Sequence, residues 1–390
     1  MSKVIKGDSL EVLRTLEANS VDTIITDPPY GLSFMGIKWD YDVPSVELWK
    51  EALRVLKPGG TALIFAGSRT QHRMACNVED AGFHIKDTIM WLYGTGYPRV
   101  QDISKNIDKK AGKKRKDLGK SPLDISNGNN GKEATVFNAR KELRVTEPHT
   151  QEAKEWDGWK SHGLKPAYEP IIVAIKPNEG SYCDNALKYG VAGLNIDGCR
   201  IEGSVNIKDY GRGGGFCFRG DAKDAPEPNS KGRFPANIIL DEEAGRILDE
   251  QQDGASRFFY CAKSSKAERN IGCEDMEDKL VANPGEGCAG KLQKNSGAGV
   301  PNNPVYNKNT HPTIKPIKLM EYLCTLTRTP TGGIVLDPFA GSGSTALACL
   351  RTSRDFIMIE REAEYVEIIK ARIKGMKKQL KEEPNLFNTL

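Results

Sequence analysis

No run of about eighteen apolar residues occurs anywhere in the chain, so no membrane-crossing helix is expected. The opening residues, MSKVIKGDSLEVL, lack the long apolar core of a secretory signal. The nine cysteines are scattered, odd in number, and never in C-x-x-C spacing. That pattern argues against a disulfide framework or a structural zinc and for reduced thiols in a cytoplasmic protein. Cys261 and Cys273 with a distant histidine come nearest to a metal set, and no metal is expected. A strong charge bias is missing as well, the formal net charge being +4. What bias exists is local: QDISKNIDKKAGKKRKDLGK, residues 101–120, holds eight basic residues against three aspartates. Such a run is either a solvated loop or a phosphate-binding arm offering Lys109, Lys110, Lys113, Lys114, Arg115 and Lys116.

At 390 residues the chain can bury a large core. Its first hundred residues alternate strand and helix. Strands are expected at 3–6, 21–26, 61–66 and 88–92. Helices are expected at 8–16, 46–56 and 69–81, where apolar residues recur at helical spacing, as Leu10, Leu13 and Leu16 do. Lys57-Pro58-Gly59-Gly60 reads as a helix stop. This alternation predicts an α/β fold with a mostly parallel twisted sheet and helices on both faces. Beyond Gly94 the pattern breaks. EPIIVAI, residues 169–175, returns as one strand, and 178–310 are rich in Gly, Asn, Pro and Asp. Within them 237–240 is a short element, while 211–215 and 283–309 are loop-like. After His311, helices are expected at 317–326, 344–350 and 363–375 and strands at 333–336 and 356–359. The expected organisation is a core drawn from both chain ends, 1–100 and 311–390, with 166–177 as a further core strand. Between them stand a basic insert at 101–165 and an irregular region at 178–310.

Two stretches carry chemistry. VDTIITDPPY, residues 21–30, ends a strand in a carboxylate, two prolines and an aromatic ring. IVLDPFAGSGSTA, residues 334–346, is a strand, a glycine-rich turn and a helix start. Gly341, Gly343 and Ala346 fit a dinucleotide fingerprint, with Glu360 as the acid at the end of the next strand. A P-loop is disfavoured because no lysine follows the last glycine in the required place. Asp337, immediately before the loop, would repel a pyrophosphate but suits a ligand with cationic groups, such as S-adenosylmethionine. Glu360 would then grip both ribose hydroxyls. Since ligands of open parallel sheets bind outside the carboxyl ends of the strands, both turns can face one crevice.

DPPY followed by DPFAGSGST, with HPTIKP at 311–316, LKPGG at 56–60 and GDS at 7–9, resembles the amino-methylating DNA methyltransferases. The order of the motifs is similar to their β group, whose Rossmann-like sheet is circularly permuted, over roughly 1–100, 165–177 and 308–390. The resemblance implies methyl transfer from S-adenosylmethionine to adenine N6 or cytosine N4 of a base flipped out of double-stranded DNA. An Asp before Pro-Pro-Tyr is the more usual form in adenine enzymes. Asp27, Pro28, Pro29 and Tyr30 would be catalytic: Asp27 and the Pro28 carbonyl accept the amino hydrogens, the prolines stiffen the turn, and Tyr30 stacks on the base. The cofactor would be lined by Asp337, Pro338, Phe339, Ala340, Gly341, Gly343, Ser344, Thr345 and Glu360. Asp8 would lie by its adenine, Thr313 and Lys315 near its carboxylate, and His311 at the turn before them. The basic insert becomes a candidate for DNA phosphates. Region 178–310 becomes the target-recognition segment, with Arg200, Arg212, Arg219, Arg233 and Arg257 as candidate readers and Arg257-Phe258-Phe259-Tyr260 as a candidate wedge. A cytoplasmic setting follows, in a bacterial nucleoid or a phage-infected cell. A homodimer and a restriction endonuclease partner are left open.

Three other readings also stay open: the same chemistry on RNA or protein, a nicotinamide-dependent oxidoreductase, and a DNA-binding protein on an inactive fold. Asp337 counts against the second, and the intact DPPY against the third.

Overall fold

A computed structural model describes residues 2–32, 40–96, 98, 100–120, 144–203, 231–262, 268, 270–277, 279–282, 305–311 and 313–382. Two compact units emerge: Met1–Gly94, Tyr168–Asp275 and Thr313–Leu390 form one, Thr95–Ala167 and Met276–Pro312 the other. The chain enters the first unit through β1 (Lys3–Lys6), α1 (Ser9–Thr15), β2 (Val21–Thr26), α2 (Val46–Val55), β3 (Leu56–Phe65), α3 (Gln71–Asp80) and β4 (His84–Leu92). It builds α4 (Ile103–Lys110), β5 (Lys116–Lys120), β6 (Arg144–Glu147) and α5 (Gln151–Glu155) in the second unit. Back in the first come β7 (Tyr168–Ile175), α6 (Tyr182–Tyr189), β8 (Ile238–Asp241), α7 (Glu242–Gln251) and β9 (Tyr260–Ala262). A two-stranded ribbon, β10 (Lys279–Ala282) and β11 (Val305–Asn307), belongs to the second unit. The chain closes in the first with α8 (Ile317–Leu326), β12 (Ile334–Asp337), α9 (Ser344–Arg351), β13 (Asp355–Glu360) and α10 (Ala363–Glu382). None of the described helices is long and apolar enough to cross a membrane.

The nine strands of the first unit order as β1-β13-β12-β2-β3-β7-β4-β8-β9. Every neighbouring pair is parallel except those of β7, which runs antiparallel to β3 and β4. The C-terminal strands β12 and β13 thus slot between β1 and β2, the permuted order that the resemblance implies. Side chains alternate across the sheet as strand geometry requires. Ile25, Leu63, Phe65, Val335 and Met358 pack on one face with Leu323 of α8, Ala346 of α9 and Ile369 of α10. Ile24, Ala62, Ile64, Leu336 and Ile359 pack on the other with Leu13, Trp49 and Met74 from α1, α2 and α3. From β12 the chain winds to one side and from β2 to the other, so a topological switch point lies between these adjacent strands.

The structure departs from sequence expectation at three places. Helix α2 does stop before Lys57-Pro58-Gly59-Gly60, at Val55, but this segment already belongs to the strand expected only from residue 61. It lies within β3 as an irregularity, where the register jumps from Val21↔Leu56 to Thr23↔Thr61 and Gly59 takes φ +74°. Residues from the expected irregular region instead extend the main sheet as β8 and β9. Helix α10 runs on to Glu382 because Met376 and Leu380 continue its apolar stripe. The stretch 211–215 and residues Arg212 and Arg219 lie outside the described residues, as does most of 283–309.

Candidate active site

Both chemical turns leave the carboxyl edge at the switch point. Strand β2, buried along its whole length, delivers Thr26 and then Asp27; β12 delivers Asp337. Thr26 Oγ1 donates to Asp337 Oδ1 at 2.7 Å, tying together turns that are 311 positions apart. The same oxygen accepts from the Phe339 N–H at 3.0 Å, and Oδ2 accepts from Thr345 Oγ1 at 2.6 Å. Burial, against these three hydrogen bonds, lifts the Asp337 pKa to about 6, and the charge of Asp27 adds to the lift. At neutral pH Asp337 is therefore mostly ionised beneath the loop. Its carboxylate and Thr345 are spent on bracing the loop from inside.

The glycine loop depends on glycine for its turn and for close packing on α10. Gly341 and Gly343 take φ +52° and +80°, and a Cβ on Gly343 would meet Ile369 at 3.1 Å. Glu360, at the end of β13, accepts from the Gly341 N–H at 2.8 Å and the Glu362 N–H at 2.8 Å. Burial nonetheless raises its pKa. Fully buried Arg372 of α10 donates to the Ser342 carbonyl at 2.7 Å. Ser9 Oγ donates to the Pro338 carbonyl at 2.6 Å, fixing the turn after β1 beside the same loop. Asp8 itself caps α1 through the N–H groups of Leu10 and Glu11. Ser9 is the last residue of the GDS motif, though its own role is not marked there; Arg372 does not stand out, since an arginine in an amphipathic helix carries no distinguishing signal.

The DPPY turn is held from several sides. Buried Asp40 accepts from the Tyr30 and Gly31 N–H groups at 2.8 and 3.1 Å. Tyr30 donates its hydroxyl to Asp27 Oδ1 at 2.7 Å and lies 3.1 Å from Glu169 Oε2. Burial, reinforced by the charges of Asp27 and Glu169, raises the Tyr30 pKa well above its ordinary value, so the phenol stays protonated. Lys315, 8% exposed, places Nζ 2.5 Å from Asp27 Oδ2 and 3.3 Å from Glu169 Oε2. The resemblance groups Lys315 with the cofactor residues; the structure turns its ammonium to the DPPY carboxylate. Sequence marks Glu169 only as part of a strand. It reaches this edge because β7 is antiparallel, which sets the first residues of β7 beside the last of β3, where the Ala66 N–H donates to the Pro170 carbonyl. A signal exists: Glu169-Pro170 repeats the acid–proline pairs Asp27-Pro28 and Asp337-Pro338.

Thr313 is exposed, and buried His311 falls in the second unit, where its N–H donates to Asn309 Oδ1 at 3.2 Å. In that unit Lys109, Lys110, Lys113 and Lys114 are exposed at the end of α4 and just beyond it. Lys116 is exposed too, 3.9 Å from Glu147. Arg115 is different: its side chain is 10% exposed and turned inward to Ser104 Oγ, the Thr146 carbonyl and buried Asp108. Of the candidate readers, Arg200 bonds Asp197 and the Gly232 carbonyl, and Arg233 bonds the carbonyls of Glu202 and Arg257. Tyr260, the last residue of the candidate wedge, stacks on Tyr322 inside the first unit with ring centroids 4.1 Å apart.

The family model for DNA methylases acting at N6 or N4 matches residues 21–371, which takes in both turns and everything between them. The chain belongs to this family. Among curated relatives, the type II methyltransferase M.HindIII of Haemophilus influenzae is 24% identical over 239 residues, covering 49% of this chain and 64% of the relative. M.HpaI of Haemophilus parainfluenzae is 34% identical over 114 residues, covering 27% and 36%. The chain thus spans less than two thirds of the length of these relatives. Among solved structures, the cytosine-N4-specific PvuII DNA methyltransferase is 15% identical with a TM-score of 0.47, over 100% of this chain and 93% of that one. The M1.HpyAVI–SAM complex is 19% identical with a TM-score of 0.41, over 95% and 100%.

Proposed function

We propose that this chain transfers a methyl group from S-adenosylmethionine to adenine N6 in double-stranded DNA. The observation that carries the reading is the meeting of DPPY and the glycine loop at one switch point, tied by the Thr26–Asp337 hydrogen bond. The glycine loop fits such a cofactor: Glu360 stands at its mouth for the ribose hydroxyls, and the ionised Asp337 beneath it disfavours a pyrophosphate. Asp8, Pro338, Phe339, Ala340, Gly341, Gly343 and Ser344 complete the lining. Bound S-adenosylmethionine supplies a methyl on a sulfonium; the N–C bond forms as the C–S bond breaks, sulfur keeps the electron pair, and the amino nitrogen releases one proton.

An exocyclic amino group is a poor nucleophile because its lone pair is delocalised into the ring. It therefore needs acceptors that hold its hydrogens and turn the lone pair toward the methyl. Asp27 and the Pro28 carbonyl serve as those acceptors, on a turn stiffened by two prolines, and Asp27 takes the released proton on its way to water. Tyr30 offers its ring to a base brought out of the duplex. The exposed lysines at 109, 110, 113 and 114 suit DNA phosphates.

Tritiated methyl transfer to duplex DNA, with the modified base identified by mass spectrometry, tests the reading. N6-methyladenine is the expected product. N4-methylcytosine would keep the chemistry and overturn the base, and transfer confined to RNA or protein would overturn the substrate. Asp27→Ala should lower transfer at least about 100-fold while cofactor binding persists; undiminished transfer would remove Asp27 from the chemistry.

A further inference from the structure

Lys315 and Glu169 lie against Asp27 in an arrangement whose donors and acceptors balance. The Lys315 ammonium has three hydrogens and three acceptors in reach: Asp27 Oδ2 at 2.5 Å, Glu169 Oε2 at 3.3 Å and Tyr30 Oη at 3.4 Å. The single Tyr30 hydroxyl hydrogen goes to Asp27 Oδ1 at 2.7 Å. The ammonium also stands 5.0 Å from the Phe65 ring centroid and 5.6 Å from that of Tyr30, sites that favour a cation. One ammonium, two carboxylates and a neutral phenol sum to a single negative charge.

We infer that Lys315 and Glu169 are positioning residues that act through Asp27, Lys315 fixing its carboxylate in orientation and Glu169 keeping the cluster net negative. This rests on the reading of Asp27 as the acceptor of the target amino group. Each Asp27 oxygen spends one lone pair on Tyr30 or Lys315 and keeps another for an amino hydrogen. Held by an ammonium on one oxygen and a phenol on the other, the carboxylate has its orientation fixed for accepting a hydrogen bond from the amino group. With Lys315 alone the cluster would be neutral; the Glu169 charge makes it favour a nitrogen that turns cationic as its new bond forms. Among the described residues, the charged and titratable groups facing this cluster are Asp337 and Tyr93, with Asp40 holding the backbone of the turn.

The two residues push Asp27 in opposite directions, which gives a test that a merely structural role would not pass. Carboxyl carbons of ¹³C-aspartate in the full ligand-free chain are titrated by NMR, with Asp27 assigned by its loss in Asp27→Asn. Lys315→Met should raise the Asp27 midpoint and Glu169→Gln should lower it, each as the sign of the charge removed dictates. The acid limb of the rate profile for methyl transfer should move the same two ways, in kcat rather than KM. Midpoints that stay put, or move in the same direction in both variants, overturn the inference. Should Lys315→Met not fold, the downward displacement in Glu169→Gln decides alone. A wild type that methylates no nucleic acid would defeat the proposed function, whereas the titration is read without turnover and judges the charge cluster by itself.

Discussion

Three donors converge on Asp337, from Thr26, Thr345 and the Phe339 N–H, yet burial outweighs them and lifts its pKa from the ordinary 3.8 to about 6. The folded protein therefore holds this proton more tightly than the unfolded chain does. Between those two values the native state binds more protons, so stability falls as pH rises through the window. The full effect at neutral pH is on the order of 3 kcal/mol at about 1.4 kcal/mol per pKa unit. Asp337→Asn keeps the shape and an acceptor while removing the titration. The stability difference between wild type and Asp337→Asn should thus shrink or reverse as pH rises from about 4 to 7, as read by urea unfolding at each pH. A difference that stays constant across that range would show that the carboxylate is not strained by burial. The sequence makes this residue conspicuous by its place at a strand end. It does not reveal that the carboxylate points inward, because which hydroxyls converge on it depends on a strand more than three hundred residues away.

At the scale of elements, the lysine-rich stretch divides into two roles that composition alone cannot separate. The region reads as a loop because it lacks a long apolar stripe, yet 103–110 form α4, with Asp102 capping it through the Lys105 N–H. The helix is fixed by tertiary contacts: Ser104 Oγ donates to the Ala153 carbonyl of α5, and Arg115 reaches back to Ser104 and Asp108. Removing Arg115 leaves buried Asp108 short of its cation, so Arg115→Ala should speed limited proteolysis within 95–167. Changing Lys109, Lys110, Lys113 and Lys114 to Ala should leave that cleavage rate unchanged. It should weaken DNA binding and flatten the dependence of log K on log salt by about one for each phosphate no longer neutralised. A salt dependence equal to that of wild type would free these lysines from any part in holding DNA. A similar division applies to β7. Its apolar run identifies it as a strand, but pairing direction is not written in a run of apolar residues. The antiparallel setting that brings Glu169 to the site is therefore hidden from sequence.

Across the whole molecule, the strands and helices of the first unit are legible because β-branched runs and helical spacing are local. Their order in the sheet is not local: only motif order points to β12 and β13, from the end of the chain, lying between β1 and β2. That permuted arrangement draws the two halves of the site from opposite ends of the sequence, the glycine loop from one and DPPY from the other. The halves are separable in energy if the cofactor binds the first alone. S-adenosylmethionine at 100 times its dissociation constant should then stabilise the chain by about 2.7 kcal/mol, a rise of a few degrees in Tm. Asp27→Ala should keep that rise, since Asp27 belongs to the acceptor half. Gly343→Val should lose it, because at φ +80° and 3.1 Å from buried Ile369 a side chain strains the loop and forces it off α10. Because Gly343→Val also lowers Tm without ligand, the quantity compared is the ligand-induced rise in each variant. If Asp27→Ala abolished the rise and Gly343→Val preserved it, the cofactor would have to sit against DPPY, and the division of labour between the two chain ends would be reversed.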